Sequence, residues 1–172
     1  MFNAPRKLTL RDKKPPLYGL IKLLLPYYDF DKNDIITVGN TIYTRSMPSS
    51  IALWHERVHA HQQKYSKLYF FTFYLWKYAF NSRFRLQMEA EAFRSQYAYA
   101  KKVIKDRNKL SKYLLFMVTT LADPRYKLDI NEKIAREIIT KWAVKRKIDH
   151  FVYHATNNLE VKRKAKEYAQ RV

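Results

Sequence analysis

Residues 54–62, Trp54-His55-Glu56-Arg57-Val58-His59-Ala60-His61-Gln62, decide how the chain folds, because their spacing has a chemical meaning only on a helix. Residues 55–59 carry the pattern His-Glu-x-x-His. On a helix, positions i and i+4 share a face, so His55 and His59 can grip one metal ion. Imidazole nitrogen suits zinc, and two histidines leave room for a third protein ligand and a water. Glu56 falls about 100° round the helix, placed to take a proton from that water. The pattern is that of a zinc-dependent hydrolase, with His55 and His59 as metal ligands and Glu56 as general base.

The flanking residues favour a helix. Ser49 and Ser50 are good N-caps, and neither Pro nor Gly occurs from there to Tyr65. With His55 at zero, Ile51, Trp54, Val58 and Tyr65 fall between roughly −100° and −40°, His59 near +40° and Gln62 near −20°. An apolar stripe therefore borders the histidine face, and the helix is expected to bury that edge and turn its histidines to a cleft. His61, near −120°, is expected to pack or hydrogen-bond rather than ligate. Such a pattern also arises by chance on structural helices, so a third ligand has to be found.

Composition narrows the class. A chain of 172 residues fits one domain with a real core. With 47% hydrophobic and 28% charged residues it folds despite its charge, and only two glycines point to mostly helix. There is no cysteine, so a metal has to be held by histidine and carboxylate. The net charge of +19 suggests an anionic partner such as nucleic acid, acidic lipid or another acidic polymer; the plainer reading is a solvated basic surface. Residues 1–16 do not read as a secretory signal. Leu17 to Tyr27 contains Lys22, and Leu68 to Trp76 is too short for a membrane span of about 20 residues. No transmembrane segment is expected.

Along the chain, residues 1–16 read as a basic arm and Leu17 to Leu25 as a short helix packed on the core, with a lesser reading as an interfacial membrane helix. Ile35 to Val38 and Thr41 to Thr44, split by Gly39-Asn40, form a hairpin whose edge could take an extended peptide. After the metal helix come an aromatic helix over about Leu68 to Phe80, a helix from Arg83 to Asp106, another from Asn108 to Leu121, and a loop at 122–126. Ile130 to Lys147 and Phe151 to Tyr168 read as basic amphipathic helices. The expected fold is mainly α (α+β): a single domain, 1–172, with a basic arm at 1–16, a core at 34–142 and a basic C-terminal helix at 143–172.

Glu89 and Glu91 are the candidates for third ligand. With Glu89 at zero, Leu86, Ala92, Phe93, Gln96, Tyr97 and Ala100 lie within about 80°, on the apolar face. Glu91 lies near 200° with Gln87, Arg94, Ser95 and Lys102, on the polar face. A carboxylate on a buried face is costly unless paired or bound to metal. Glu91 has a simple explanation in a pair with Arg94, whereas Glu89 has only Arg85 at i−4. Glu89 is the preferred ligand, with Glu91 as the alternative.

At this point the sequence resembles the gluzincin metallopeptidases, whose HExxH is followed by a glutamate ligand on a later helix, often within E-x-x-A. Here those motifs are His55-Glu56-Arg57-Val58-His59 and Glu89-Ala90-Glu91-Ala92. More narrowly it resembles small metallopeptidase-like proteins encoded by bacteriophages, through ITVGNTIYTR, HExxHxxQ, an aromatic helix, MEAEAFRSQ and Leu121-Ala122-Asp123-Pro124-Arg125-Tyr126. The resemblance spans about Asp34 to Trp142. It implies a helical minigluzincin-like core with zinc on His55, His59 and Glu89, Glu56 as base, and a location in the host cytoplasm or the phage virion. Phe93 stands where many relatives carry an aspartate that orients a histidine ligand, which leaves Gln62 or Gln96 for that task.

The reaction implied is hydrolysis of a peptide or protein substrate. Tyr126, from its place in the downstream loop, is the first choice as oxyanion donor, with His150 or His154 behind it. His150 and His154 are themselves i,i+4, though ordinary surface histidines explain them better. Two other readings stand beside this one. A basic nucleic-acid-associated or virion structural protein could keep the zinc site as structure or relic, its terminal Lys and Arg tracking phosphates. A DNA-associated protease, similar to the SprT-like group, would join both.

Overall fold

A computed structural model describes residues 8–32 and 34–141 of the chain. The protein is mainly helical, with a small three-stranded sheet. The proposed C-terminal helix over Phe151 to Tyr168, with His150 and His154, lies outside the described residues, as does the arm before residue 8.

The Gly39-Asn40 hairpin forms. Strands β2 (Ile36–Val38) and β3 (Thr41–Tyr43) pair antiparallel, Val38 opposite Thr41. Gly39 takes φ 64°, the positive value a two-residue hairpin requires, and a Cβ there would meet the Lys67 backbone nitrogen at 2.6 Å. Within the stretch read as a basic arm, residues 9–11 form strand β1 (Thr9–Arg11). It runs parallel to β3, Thr9 opposite Thr41, so β3 is central and β1 and β2 are the two edge strands. The hairpin edge expected to take an extended peptide is occupied at Thr37 and Gly39, whose backbone carbonyl and N–H bond to the Gln63 side chain. Leu8-Thr9-Leu10-Arg11 alternates apolar and polar positions, but all three β1 residues are exposed, so the alternation marks no buried face.

Helix α1 (Tyr18–Leu24) packs Ile21, with Leu25 just beyond it, into one core cluster with Val38, Tyr43 and the aromatic segment. Helix α2 (Ser50–Gln62) begins as expected: the Ser49 side chain accepts from Ala52 N–H. It stops at Gln62, short of Tyr65, because Lys64 and Tyr65 turn left-handed. The Gln63 side chain fixes that reversal. It accepts from Gly39 N–H at 2.7 Å and donates to the Thr37 carbonyl at 2.9 Å, so the end of α2 is tied to the hairpin. Gln63→Leu would leave both backbone groups buried without partners and should destabilise the fold by about 2–4 kcal/mol, read as a shift in the urea midpoint.

Residues 67–80 form one continuous helical rod: α3 (Lys67–Tyr69), a π-helical turn (Phe70–Tyr74) and α4 (Leu75–Phe80). Asn81 ends it and caps α5 (Ser82–Val103) through Phe84 N–H. Helix α6 (Arg107–Leu121) is capped by Asp106. The loop after it contains a 3-10 turn, Pro124–Tyr126, and α7 (Glu132–Lys141) follows. Helix α5 is the axis of the fold. It packs against α2, α4, α6 and α7, and its Phe93 joins Leu114, Met117, Leu121 and Ile139 in a second core cluster. Ser95, expected on a polar face, is buried and accepts from the Trp54 indole at 2.8 Å. That bond and the Trp54–Tyr99 ring stack, 4.8 Å apart, hold α2 on α5. Among the described residues, no helix is long and apolar enough to cross a membrane.

Candidate metal centre

His55 and His59 project from one face of α2 toward α5, where Glu89 meets them. Their Nε2 atoms are 3.0 Å apart. Glu89 Oε1 lies 3.4 Å from His59 Nε2, and Oε2 lies 3.6 Å from His55 Nε2. A tetrahedral ion held at about 2.0–2.1 Å by nitrogen and oxygen donors sets its ligands about 3.3–3.4 Å apart. The three edges bracket that value, so these residues form a group that could hold a metal ion.

The histidine tautomers strengthen the fit. Gln62 Nε2 donates to the Met88 carbonyl at 3.0 Å, which can only accept. Its Oε1 therefore faces His59 Nδ1, at 2.8 Å, and Nδ1 carries the proton. Gln96 does the same for His55, with Oε1 2.9 Å from Nδ1 and its amide on the Tyr113 hydroxyl at 2.7 Å. Each glutamine thus turns an Nε2 lone pair toward the other imidazole and the Glu89 carboxylate. Two bare nitrogens and a carboxylate at these distances repel unless a cation or a proton sits among them. Without metal, burial pushes the His55 pKa down, but its hydrogen bond and attraction to Glu89 outweigh burial and raise it. Burial pushes Glu89 up, while His59, His55 and the Tyr78 hydroxyl hold it down at about 2.

Glu89, 3% exposed, is the carboxylate brought to the histidines. Glu91 points elsewhere and accepts from Gln62 Nε2 at 3.2 Å. The suggested partner Arg85 does not bind Glu89. Its guanidinium donates to the carbonyls of Tyr78, Ala79, Tyr126 and Lys127, closing the end of α4 and gripping the Pro124–Tyr126 turn. Arg94 likewise donates to the Ile138 carbonyl, at 2.7 Å. Phe93 packs edge-on against His55, ring centres 4.7 Å apart, and leaves its orientation to Gln96. His61 is exposed, edge-on to Tyr65, and outside the cluster.

Glu56 is buried beside this group. Its Oε2 accepts from Thr37 Oγ1 at 2.8 Å, so strand β2 orients the carboxylate. Tyr126 is held by the Arg85 bond to its carbonyl, and its ring lies 5.7 Å from that of Tyr27. Burial pushes its hydroxyl pKa up, and the Glu89, Tyr27 and Glu56 charges add to the shift, which puts Tyr126 in the field of the same carboxylates.

Several residues here had escaped notice in the sequence. Tyr78 donates to Glu89 Oε1 at 2.7 Å, and the Tyr74 hydroxyl donates to Gln62 Oε1 at 3.2 Å. Both lie on the aromatic rod, one turn apart; the hydroxyls on an otherwise apolar surface were the available signal. Tyr27 is half-buried, its hydroxyl enclosed without a well-formed hydrogen bond and in the field of Glu89, and burial pushes its pKa up to about 12. Compared with known proteins, the chain matches no family model, no curated protein and no solved structure.

Proposed function

We propose that the chain is a zinc-dependent peptide-bond hydrolase of gluzincin type, similar to the small metallopeptidase-like proteins of bacteriophages. The observation that carries this reading is the meeting of two imidazole nitrogens and one carboxylate at tetrahedral spacing, with a second buried carboxylate next in sequence to His55. Two nitrogens, one oxygen and no sulfur are a donor set that suits zinc, and three protein ligands leave a position for substrate or water. When bound, such an ion acidifies a water and polarises the carbonyl to be cleaved.

The chain's own residues supply the rest. Thr37 holds one oxygen of Glu56 and leaves the other to take the proton of the attacking water. Glu56 then delivers that proton to the departing amine. Tyr126 is the proposed donor to the developing oxyanion, set in place through Arg85.

The test is digestion of a peptide library by the wild-type chain, with and without chelator. Cleavage that stops on chelation and returns with zinc supports the hydrolase; cleavage indifferent to chelator contradicts it. The rival is a basic nucleic-acid-associated or virion structural protein with the site as structure or relic, favoured by the net charge of +19. Zinc bound without cleavage of any peptide, protein or muropeptide would favour that rival.

The glutamines give a further expectation. Gln62→Leu and Gln96→Leu each remove the acceptor that fixes a histidine tautomer, and each should weaken zinc binding about 10–100-fold. Competition against a chromophoric chelator measures this, and an affinity unchanged in both variants would refute it.

A further inference from the structure

We propose that the outer side of the 67–80 rod, together with α1, docks on the surface of an anionic lipid bilayer. This inference stands apart from the hydrolase reading. Single exposed apolar residues are ordinary on a protein surface, but here they are large and gathered on two packed elements. Leu68 and Phe80 are 74% exposed and Leu23 76%, with Leu17, Phe73 and Trp76 also open. The rings of Trp76 and Phe80 stack on each other, 6.0 Å apart.

The charges carried by these two elements have one sign, although Asp31, paired with Lys14 over the Tyr18 ring, lies near α1. No Asp or Glu occurs between residues 57 and 88, nor between 13 and 28. Lys64, Lys67, Lys77 and Arg83 lie along or beside the rod. Lys77 spreads over Phe73 and Phe84, at 5.1 and 4.9 Å from the ring centres, and Lys64 lies over Tyr69 at 4.5 Å. Cationic heads on aromatic bodies, beside leucines, match the boundary between anionic headgroups and acyl chains. The rod is too short to span and would lie in the plane of the surface.

Charge also decides against other occupants. A two-fold contact with a second copy would bring the same lysines face to face. Single-stranded nucleic acid would use the rings, but the exposed leucines offer nothing for a base to stack on. The inner side of this rod carries Tyr74 and Tyr78, which bond to Gln62 and Glu89, so the docking face and the metal centre share one element.

The test is flotation of the full chain with vesicles of equal parts phosphatidylglycerol and phosphatidylcholine, against phosphatidylcholine alone, at low salt and at about 0.15 M salt. Binding is expected to the anionic vesicles. Trp76→Gln/Phe80→Gln should lower that partition at least about tenfold, by removing the buried apolar contact. Both side chains point outward, so an unchanged melting temperature should accompany the loss. Brominated lipid should quench tryptophan emission in the wild type and less in Trp76→Phe. The proposal is overturned by no partition to anionic vesicles, or by equal partition of the double variant, which would leave the attraction to the basic termini. It is overturned equally by a wild-type dimer that the double variant loses without any vesicle binding.

Discussion

Replacing Glu56 with Gln is expected to cut peptide hydrolysis by at least about 10²-fold, the usual scale for loss of a general base. The change is otherwise mild. Glu56 sits in a buried slot where its Oε2 accepts from Thr37, and a glutamine carbonyl can accept the same bond. The amide removes the basic oxygen and nothing else of size. Metal content and thermal stability should therefore stay near wild type while turnover falls. Initial rates on a cleaved library peptide, measured beside chelated wild type, check this. Equal rates in wild type, Glu56→Gln and chelated samples would mean that the cleavage comes from another site or another protein.

The second large effect concerns Glu89. Glu89→Gln keeps the shape and still accepts from Tyr78, but removes the negative charge between two imidazoles. Zinc affinity should fall at least about 10²-fold, more than for either glutamine that only orients a ligand. Glu91→Gln is the internal comparison. Glu91 touches Gln62 and not the ligand nitrogens, so its loss should leave affinity close to wild type. Chelator competition on both variants separates them; a larger loss in Glu91→Gln would reverse the assignment of the third ligand.

Much of this arrangement was legible in the sequence because it rests on local periodicity. The cap at Ser49, the Gly39-Asn40 turn and the placing of Glu89 on the apolar face of its helix follow from spacing of 3.6 or 2 residues. What escaped depends on partners far along the chain. Strand β1 exists only because β3 offers it an edge some thirty residues later. The stop of α2 before Tyr65 is imposed by Gln63 reaching back to the hairpin, against a local sequence that would let the helix continue. The burial of Ser95 reflects α5 being covered on several sides, which no single amphipathic stripe announces. Thr37 and Tyr78 touch the site from a strand and from the aromatic rod, so their roles appear only when those elements come together.

The central claim, that His55, His59 and Glu89 hold zinc, is tested most directly by metal analysis of the purified chain by mass spectrometry. About one zinc per chain is predicted for the wild type, and almost none for His55→Ala/His59→Ala. A wild-type chain that takes up no zinc from excess at neutral pH would contradict the account, as would a double variant that keeps a full equivalent.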